Sequence, residues 1–288
     1  MKPHAATAAP SVAGRRPRVS RRTLLGAAAL AVVPAAAAID GVLITPRRLV
    51  TSDLVFGAAA GDAPLRLVQV SDLHLHALGT LERQLIAALH EARADLIVIT
   101  GDAVDRPWGL PLLDEFLAEL PPAARRLAIM GNWEYKSGIG HRDMARLYER
   151  HGVELLVNAS TTLEHRGRTV RVTGLDDAVC GTPDGGRAVA GCRSHDRHLV
   201  LAHCPVSRDR LRLPPEHPAT LVLAGHTHGG QVAPGGFAPV LPIGSGRYVA
   251  GWYRDAGPPL YVSRGIGTSM FPIRIGASPE LVRIDWTL

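Results

Sequence analysis

Leu65-Arg66-Leu67-Val68-Gln69-Val70-Ser71-Asp72-Leu73-His74 carries an apolar run of strand length straight into a carboxylate and an imidazole two residues apart. The arrangement recurs. Leu96-Ile97-Val98-Ile99-Thr100 precedes Asp102, and Arg126-Leu127-Ala128-Ile129-Met130 precedes Asn132. His198-Leu199-Val200-Leu201-Ala202 precedes His203, and Thr220-Leu221-Val222-Leu223-Ala224 precedes His226 and His228. Short apolar runs of this kind, alternating with amphipathic stretches, predict strands buried in a sheet and covered by helices, an α/β chain in layers. Side chains placed just beyond the carboxyl ends of such strands converge in space, so seven residues distant in sequence form one constellation.

Working outward, strands are expected at about 65–71, 95–100, 125–130, 153–157, 168–173, 198–202, 220–225, 259–263 and 281–286, by hydrophobic patterning. Helices are expected around 80–93, 109–119 and 141–151. In the first, Leu81, Leu85, Ala88 and Leu89 fall at helical spacing, and Thr80 suits the N-cap. Residues 176–196 and 231–258, rich in Gly and in polar residues or Pro, read as long loops of the kind that carries function.

The chemistry of the constellation is consistent. Carboxylates and imidazoles without thiolates suit borderline ions such as manganese, iron or zinc and argue against a structural zinc site. Asp102 is the natural bridge between two divalent ions, because a carboxylate offers two oxygens. Asn132 ligates through its amide oxygen and adds no negative charge. Two carboxylates facing two dications leave the site positive, which attracts phosphate.

Asp72-Leu73-His74, Gly101-Asp102, Gly131-Asn132, Ala202-His203 and Gly225-His226-Thr227-His228 together resemble, in order, the motifs of the calcineurin-like metallophosphoesterases. Gly229-Gly230-Gln231, Arg264-Gly265-Ile266-Gly267-Thr268 and Pro272-Ile273-Arg274 resemble its exported YkuE/YaeI-like branch. The resemblance implies a β-sandwich flanked by helices, which patterning alone would not separate from a doubly wound sheet. It implies one metal on Asp72, His74, Asp102 and His228, and another on Asp102, Asn132, His203 and His226. Asp102 and Asn132 are thereby also expected in catalysis, and Asn132 in substrate binding. Many members of the family carry a His after the Gly-Asn pair, thought to protonate the leaving group or hold the phosphate. Here that position is Trp133, which has no proton to give.

The neighbours of the motifs leave alternatives open. His76 is the nearest substitute acid, or a solvated loop histidine. Asp105 and Glu134 are placed to orient imidazoles, or face solvent. Asp176 and Asp177 line the site or merely begin the loop. Arg274, a planar bidentate donor, meets a substrate phosphate or makes a surface salt bridge. Trp252, Tyr253 and Phe271 pack in the core, or lie along an acyl chain.

The chain of 288 residues, 46% hydrophobic and 20% charged, can bury one large domain. Its net charge of +6 does not point to nucleic acid, because residues 1–50 hold eight Lys and Arg against the single acid Asp40 and the remainder sums to −1. The basic residues up to Arg22, the uncharged run Leu24 to Ala38 and the small residues Ala35 to Ala38 read as an export signal. Ser20-Arg21-Arg22-Thr23-Leu24-Leu25 resembles the twin-arginine type, which implies the twin-arginine export machinery as a partner. An ordinary secretory signal or a membrane anchor remains the alternative. The organisation expected is a signal or anchor segment at 1–45, a linker at 46–64 and one catalytic domain at 65–288. Of Cys180, Cys192 and Cys204, only the first two suit a loop disulfide; idle thiols are the alternative. The function expected is an exported dinuclear phosphoesterase acting on a phosphorylated small molecule or a phospholipid-type substrate close to the membrane. A metal- and phosphate-binding protein of low turnover is the competing reading, motivated by Trp133.

Overall fold

The structure, a computed structural model, describes residues 39–57 and 64–288. The twin-arginine motif and the uncharged run that follows it lie outside the described residues. Two mixed six-stranded sheets face each other. The first has the order β1-β12-β2-β3-β4-β5, with β1 Val50–Phe56, β2 Leu65–Val70, β3 Leu96–Thr100, β4 Arg125–Ile129, β5 Val153–Leu155 and β12 Glu280–Trp286. The second has the order β10-β11-β9-β8-β7-β6, with β6 Ala159–His165, β7 Arg168–Gly174, β8 Arg197–Leu201, β9 Leu221–Ala224, β10 Gly251–Tyr253 and β11 Leu260–Val262. Strands β2 to β5 run parallel in one sheet, and β7, β8, β9 and β11 run parallel in the other.

Period-two alternation sorts each strand's side chains between layers. Leu65 and Leu67 of β2, Leu96 and Val98 of β3, Val170 and Val172 of β7, and Leu199 and Leu201 of β8 meet in the core between the sheets. Their neighbours Val68, Val70, Ile97 and Ile99 turn outward under the helices. Those helices are α1 Thr80–Ala92, α2 Leu110–Ala118 and α4 His141–Arg150, which bury Leu85 and Leu89, Phe116 and Leu117, and Leu147 and Tyr148 respectively. Among the described residues the remaining α-helices are the short α3 Asn132–Lys136, α5 Gly185–Ala188 and α6 Ser207–Arg210. Gln69, fully buried between the sheets, donates to Thr100 Oγ1 at 3.0 Å and to the Ala224 carbonyl at 2.9 Å, so it pins the ends of three ligand-bearing strands together. Among the described residues no helix is long and apolar enough to cross a membrane.

The structure corrects three expectations. Residues 46–64 are not wholly a linker: Val50–Phe56 forms β1, paired in parallel with β12 from Val50 opposite Glu280 to Phe56 opposite Trp286. Alternate residues of β1 are half-buried and exposed, and Ser52 and Asp53 dilute its apolar pattern, which hides a strand at a sheet edge. The helix α1 is capped by Gly79 rather than Thr80, and Glu82 Oε2 accepts the Gly79 N–H at 2.8 Å. The long loops are also interrupted, by α5 in one and by β10 in the other, each only three or four residues and too short to leave a periodic signal. The three cysteines are free thiols.

Because the Phe56 ring stacks on Trp252 at 5.4 Å and leans on Trp286 at 6.1 Å, β1 is part of the inter-sheet core. Phe56→Ala is expected to destabilise the protein by about 2–3 kcal/mol, less than a fully buried Phe because this ring is half-exposed. Urea unfolding followed by circular dichroism measures it; no change in midpoint would return residues 50–56 to the status of a tether.

Candidate metal centre

All seven expected ligands are buried, and they meet at the carboxyl ends of β2, β3, β4, β8 and β9. The loops are fastened by backbone bonds: Asp72 N–H donates to the Gly101 carbonyl at 3.0 Å, and His74 N–H to the Asp102 carbonyl at 3.0 Å. Five of the seven ligands stand in the left-handed backbone region. Their φ angles are 52° at Asp72, 42° at His74, 52° at Asp102, 73° at His226 and 51° at His228. Each such residue costs on the order of 1–3 kcal/mol, and a cluster of them persists only where the surroundings over-determine it. Two glycines are sterically required. A methyl group on Gly225 would lie 1.9 Å from Ser71 Oγ, and one on Gly131 would lie 2.3 Å from Asp102 Oδ1.

The ligand atoms form two adjoining groups. In one, the Nε2 atoms of His74 and His228 lie 3.2 Å apart, with Asp72 Oδ1 3.7 Å from His228 Nε2 and Asp102 Oδ2 3.7 Å from His74 Nε2. In the other, His203 Nε2 lies 3.1 Å from Asp102 Oδ2, 3.1 Å from Asn132 Oδ1 and 3.2 Å from His226 Nδ1. Asp102 Oδ2 is therefore common to both. Its second oxygen accepts the Trp133 N–H at 2.8 Å.

A cation fits this arrangement on hydrogen-bond grounds alone. The Nδ1 hydrogen of His203 is spent on the Thr100 carbonyl at 2.8 Å, and the Nε2 hydrogen of His226 on the Ile243 carbonyl at 2.8 Å. That leaves His203 Nε2, His226 Nδ1, Asp102 Oδ2 and Asn132 Oδ1 facing one another, a group of acceptors with at most one proton among them. Electrostatics agree. Burial works against charge on His203, yet the Asp102 carboxylate outweighs it and holds that imidazole well above its ordinary value. Burial would raise Asp102, but His203, His74 and the Trp133 N–H together hold it well below the usual carboxylate range. Burial keeps His74 and His226 below the ordinary imidazole value and His228 far below it, the neutral form that a metal needs.

The surrounding residues take unequal parts. Glu134 does not orient an imidazole as expected. Its Oε1 accepts the Ala103 N–H at 2.6 Å, and its Oε2 accepts those of Gly131 at 3.0 Å and Asp102 at 3.2 Å, so it fixes the loop that carries the shared carboxylate. Burial first, and then the Asp102 charge, push Glu134 up to about 7. Asp105 Oδ2 lies 3.3 Å from His76 Nε2 and 3.9 Å from His74 Nδ1, between a ligand and the half-exposed His76. Arg274 neither meets a phosphate nor makes a surface salt bridge. It is fully buried, and its guanidinium donates to the carbonyls of Ala277 at 2.8 Å, Arg264 at 3.0 Å and Gly267 at 3.1 Å, with His228 Nδ1 at 3.3 Å from Nη2. The residue braces the last ligand loop.

Asp176 and Asp177 begin the loop after β7. Asp177 accepts the N–H of Val179 at 2.8 Å and the Cys204 thiol at 3.2 Å, and Asp176 accepts the N–H of Thr182 at 2.9 Å. Cys204 lies with His203 and His226, but burial pushes its thiol far up, so it stays protonated and outside the ligand set. Trp252 and Tyr253 pack on Tyr261 and Tyr248, in the core as expected. Phe271 does not. It lines, with His74, His76, Leu81, Trp133 and Met270, a cleft of about 770 Å³ that opens beside the metal ligands. Gln69 and the capping role of Glu134 left no mark in the sequence, because both depend on what the neighbouring strand presents.

The model of the family described as calcineurin-like phosphoesterase matches residues 65–230. The chain is 31% identical over 227 residues to the uncharacterized metallophosphoesterase YkuE of Bacillus subtilis (strain 168), covering 75% of this chain and 77% of that one. It is 29% identical over 229 residues to the phosphodiesterase YaeI of Escherichia coli (strain K12), covering 77% and 82%. YkoQ of Bacillus subtilis, also an uncharacterized metallophosphoesterase, is 28% identical over 230 residues, covering 75% and 82%.

Glu134→Ala would orphan the buried N–H groups of Asp102, Ala103 and Gly131. It is expected to weaken divalent-metal affinity by about 10- to 100-fold, the usual effect of losing a group that supports a ligand. Calorimetric titration with Mn²⁺ checks this, and unchanged affinity would mean that the loop holds its shape without Glu134. Candidate ligands ordered on five strand ends, a buried cluster of acceptors able to hold a cation and the match along residues 65–230 lead to one conclusion: the chain belongs to the calcineurin-like phosphoesterases, metal-dependent hydrolases of phosphoric esters.

Proposed function

We propose that the protein is an exported phosphoesterase with two divalent ions, of manganese, iron or zinc, that cleaves a phosphate mono- or diester or a pyrophosphate bond. The observation that carries this reading is the position of Asp102 Oδ2, 3.1 Å from His203 Nε2 and 3.7 Å from His74 Nε2, where one carboxylate serves both ligand groups. Divalent ions held there supply Lewis acidity and a water of lowered pKa. Asp72 and Asp102 supply two negative charges, so the loaded centre stays positive and draws in a phosphate. The Asn132 amide, neutral and at the mouth of α3, holds its oxygen toward the centre and leaves its N–H₂ to donate to a phosphate oxygen.

The chemistry at the leaving group is set by Trp133. Its ring stands edge-on to His74, 6.2 Å between centroids, on the wall of the cleft. No proton comes from it, so the reading favours leaving groups that depart as stable anions, such as a phenolate or a phosphate. His76 also lines the cleft, its Nε2 3.3 Å from the Asp105 carboxylate. The substrate class is a phosphorylated small molecule, and the address expected from the leader favours one that is nucleotide-activated or lipid-linked in the cell envelope.

Hydrolysis of an aryl phosphodiester with Mn²⁺ tests the reading. Asp102→Ala and Asn132→Ala are each expected to lower kcat/KM by more than about 100-fold. No turnover in the parent would instead favour a metal- and phosphate-binding protein, and turnover that persists after chelation would defeat the metal-dependent reading. In a separate comparison, Trp133→His is expected to raise turnover of alkyl phosphoesters by about 10²-fold or more while leaving aryl substrates nearly unchanged. No rise in the turnover of alkyl phosphoesters in the variant would dismiss the missing acid as the limit.

A further inference from the structure

The large apolar side chains left exposed on this protein are not scattered. Among the described residues every one of them except Val55 belongs to segment 39–44, to segment 232–243, to Met270 and Phe271, or is Trp108 beside His76. Each segment is tied to the loop that carries His226 and His228. Arg274, packed on His228, donates its backbone N–H to the Gly41 carbonyl at 2.8 Å, which seats Leu43 and Ile44. The Gln231 side chain donates to the Ser269 and Phe271 carbonyls at 3.0 and 3.1 Å, which seats Met270 and Phe271. The Ile243 carbonyl accepts from His226 itself at 2.8 Å. The exposures are large: 86% at Ile243, 79% at Met270 and 77% at Val240.

An apolar rim of this kind around a polar site marks an interaction surface. We infer that this rim is a membrane-docking face, on which the protein rests against a lipid bilayer with the cleft of the metal centre opening toward the head groups. Two observations select the bilayer as occupant. The chain enters the rim at Ile39 directly from the uncharged run Leu24 to Ala38, with Arg21 and Arg22 at the far end of that run. Exposed Arg47 and Arg106 line the cleft together with Met270 and Phe271, exposed Arg48 follows Arg47 in the chain, and the three complement anionic head groups. Apolar side chains that enter the acyl boundary and arginines that stay at head-group level describe an interfacial contact.

The inference deepens the proposed function by naming the substrate as a phosphoester presented at a bilayer surface, and it builds on that reading for what the cleft receives. In the full chain carrying Cys180→Ser and Cys192→Ser, a polarity-sensitive dye is attached at a cysteine replacing Met270, or at one replacing Val55. Vesicles of phosphatidylglycerol and phosphatidylcholine are then added. A blue shift at position 270 with none at 55 is expected, and Leu43→Asp with Ile44→Asp should reduce that shift at least two-fold. No shift at 270 while the protein still sediments with vesicles would overturn the docking face and leave attachment to the leader alone. A shift at 270 that grows with protein concentration in the absence of lipid would overturn it in favour of a second copy of the chain, and equal shifts at 270 and 55 would overturn it as unspecific. Hydrolysis of the soluble aryl phosphodiester, measured in the same samples, reports on the phosphoesterase reading separately.

Discussion

The Asp102 carboxylate is the constraint around which the rest is arranged. One of its oxygens faces His74 on one side and His203 on the other, while the second takes the Trp133 N–H. To hold a buried anion where two groups of acceptors meet, the fold has to suppress every relaxation that would let those atoms turn away. It does so with backbone. Both loops bearing Asp72 and Asp102 are zipped to each other, Glu134 gathers the N–H groups of the Asp102 turn, and Gly131 leaves no room for a side chain between them.

This explains why strain collects at the ligands. A residue that leaves a strand and must at once reverse toward the strand end of a neighbour passes most directly through the left-handed region, and five ligands do so. The cost is borne by the two sheets, whose shared core of Leu and Val from β2, β3, β7, β8 and β9 fixes the strand ends relative to one another. Stability in the apolar layers and strain at their edge are two sides of one design, and a cation held there would relieve the repulsion among the clustered acceptors.

The second theme is asymmetry around the centre. Beneath the ligands lie carbonyls, carboxylates and a buried arginine; beside them opens a cleft with Trp133, Leu81 and Phe271 on its walls and exposed apolar residues at its rim. At position 133 the indole gives the cleft apolar surface and no acidic proton.

The sequence by itself marked the candidate ligand positions and the strands that carry them, because a buried parallel strand must be almost wholly apolar and each candidate stands just beyond such a run. Leu96–Thr100 before Asp102 and Leu221–Ala224 before His226 are legible for that reason. Only the tertiary structure decided what depends on a partner. β1 is a strand because β12 offers it an edge, Arg274 is a brace because carbonyls surround it, and Glu134 is a cap because the Asp102 turn brings its N–H groups there. Local patterns record how a residue treats its own neighbours in the chain. The meaning of a polar side chain, once buried, is set by whichever distant group arrives to satisfy it.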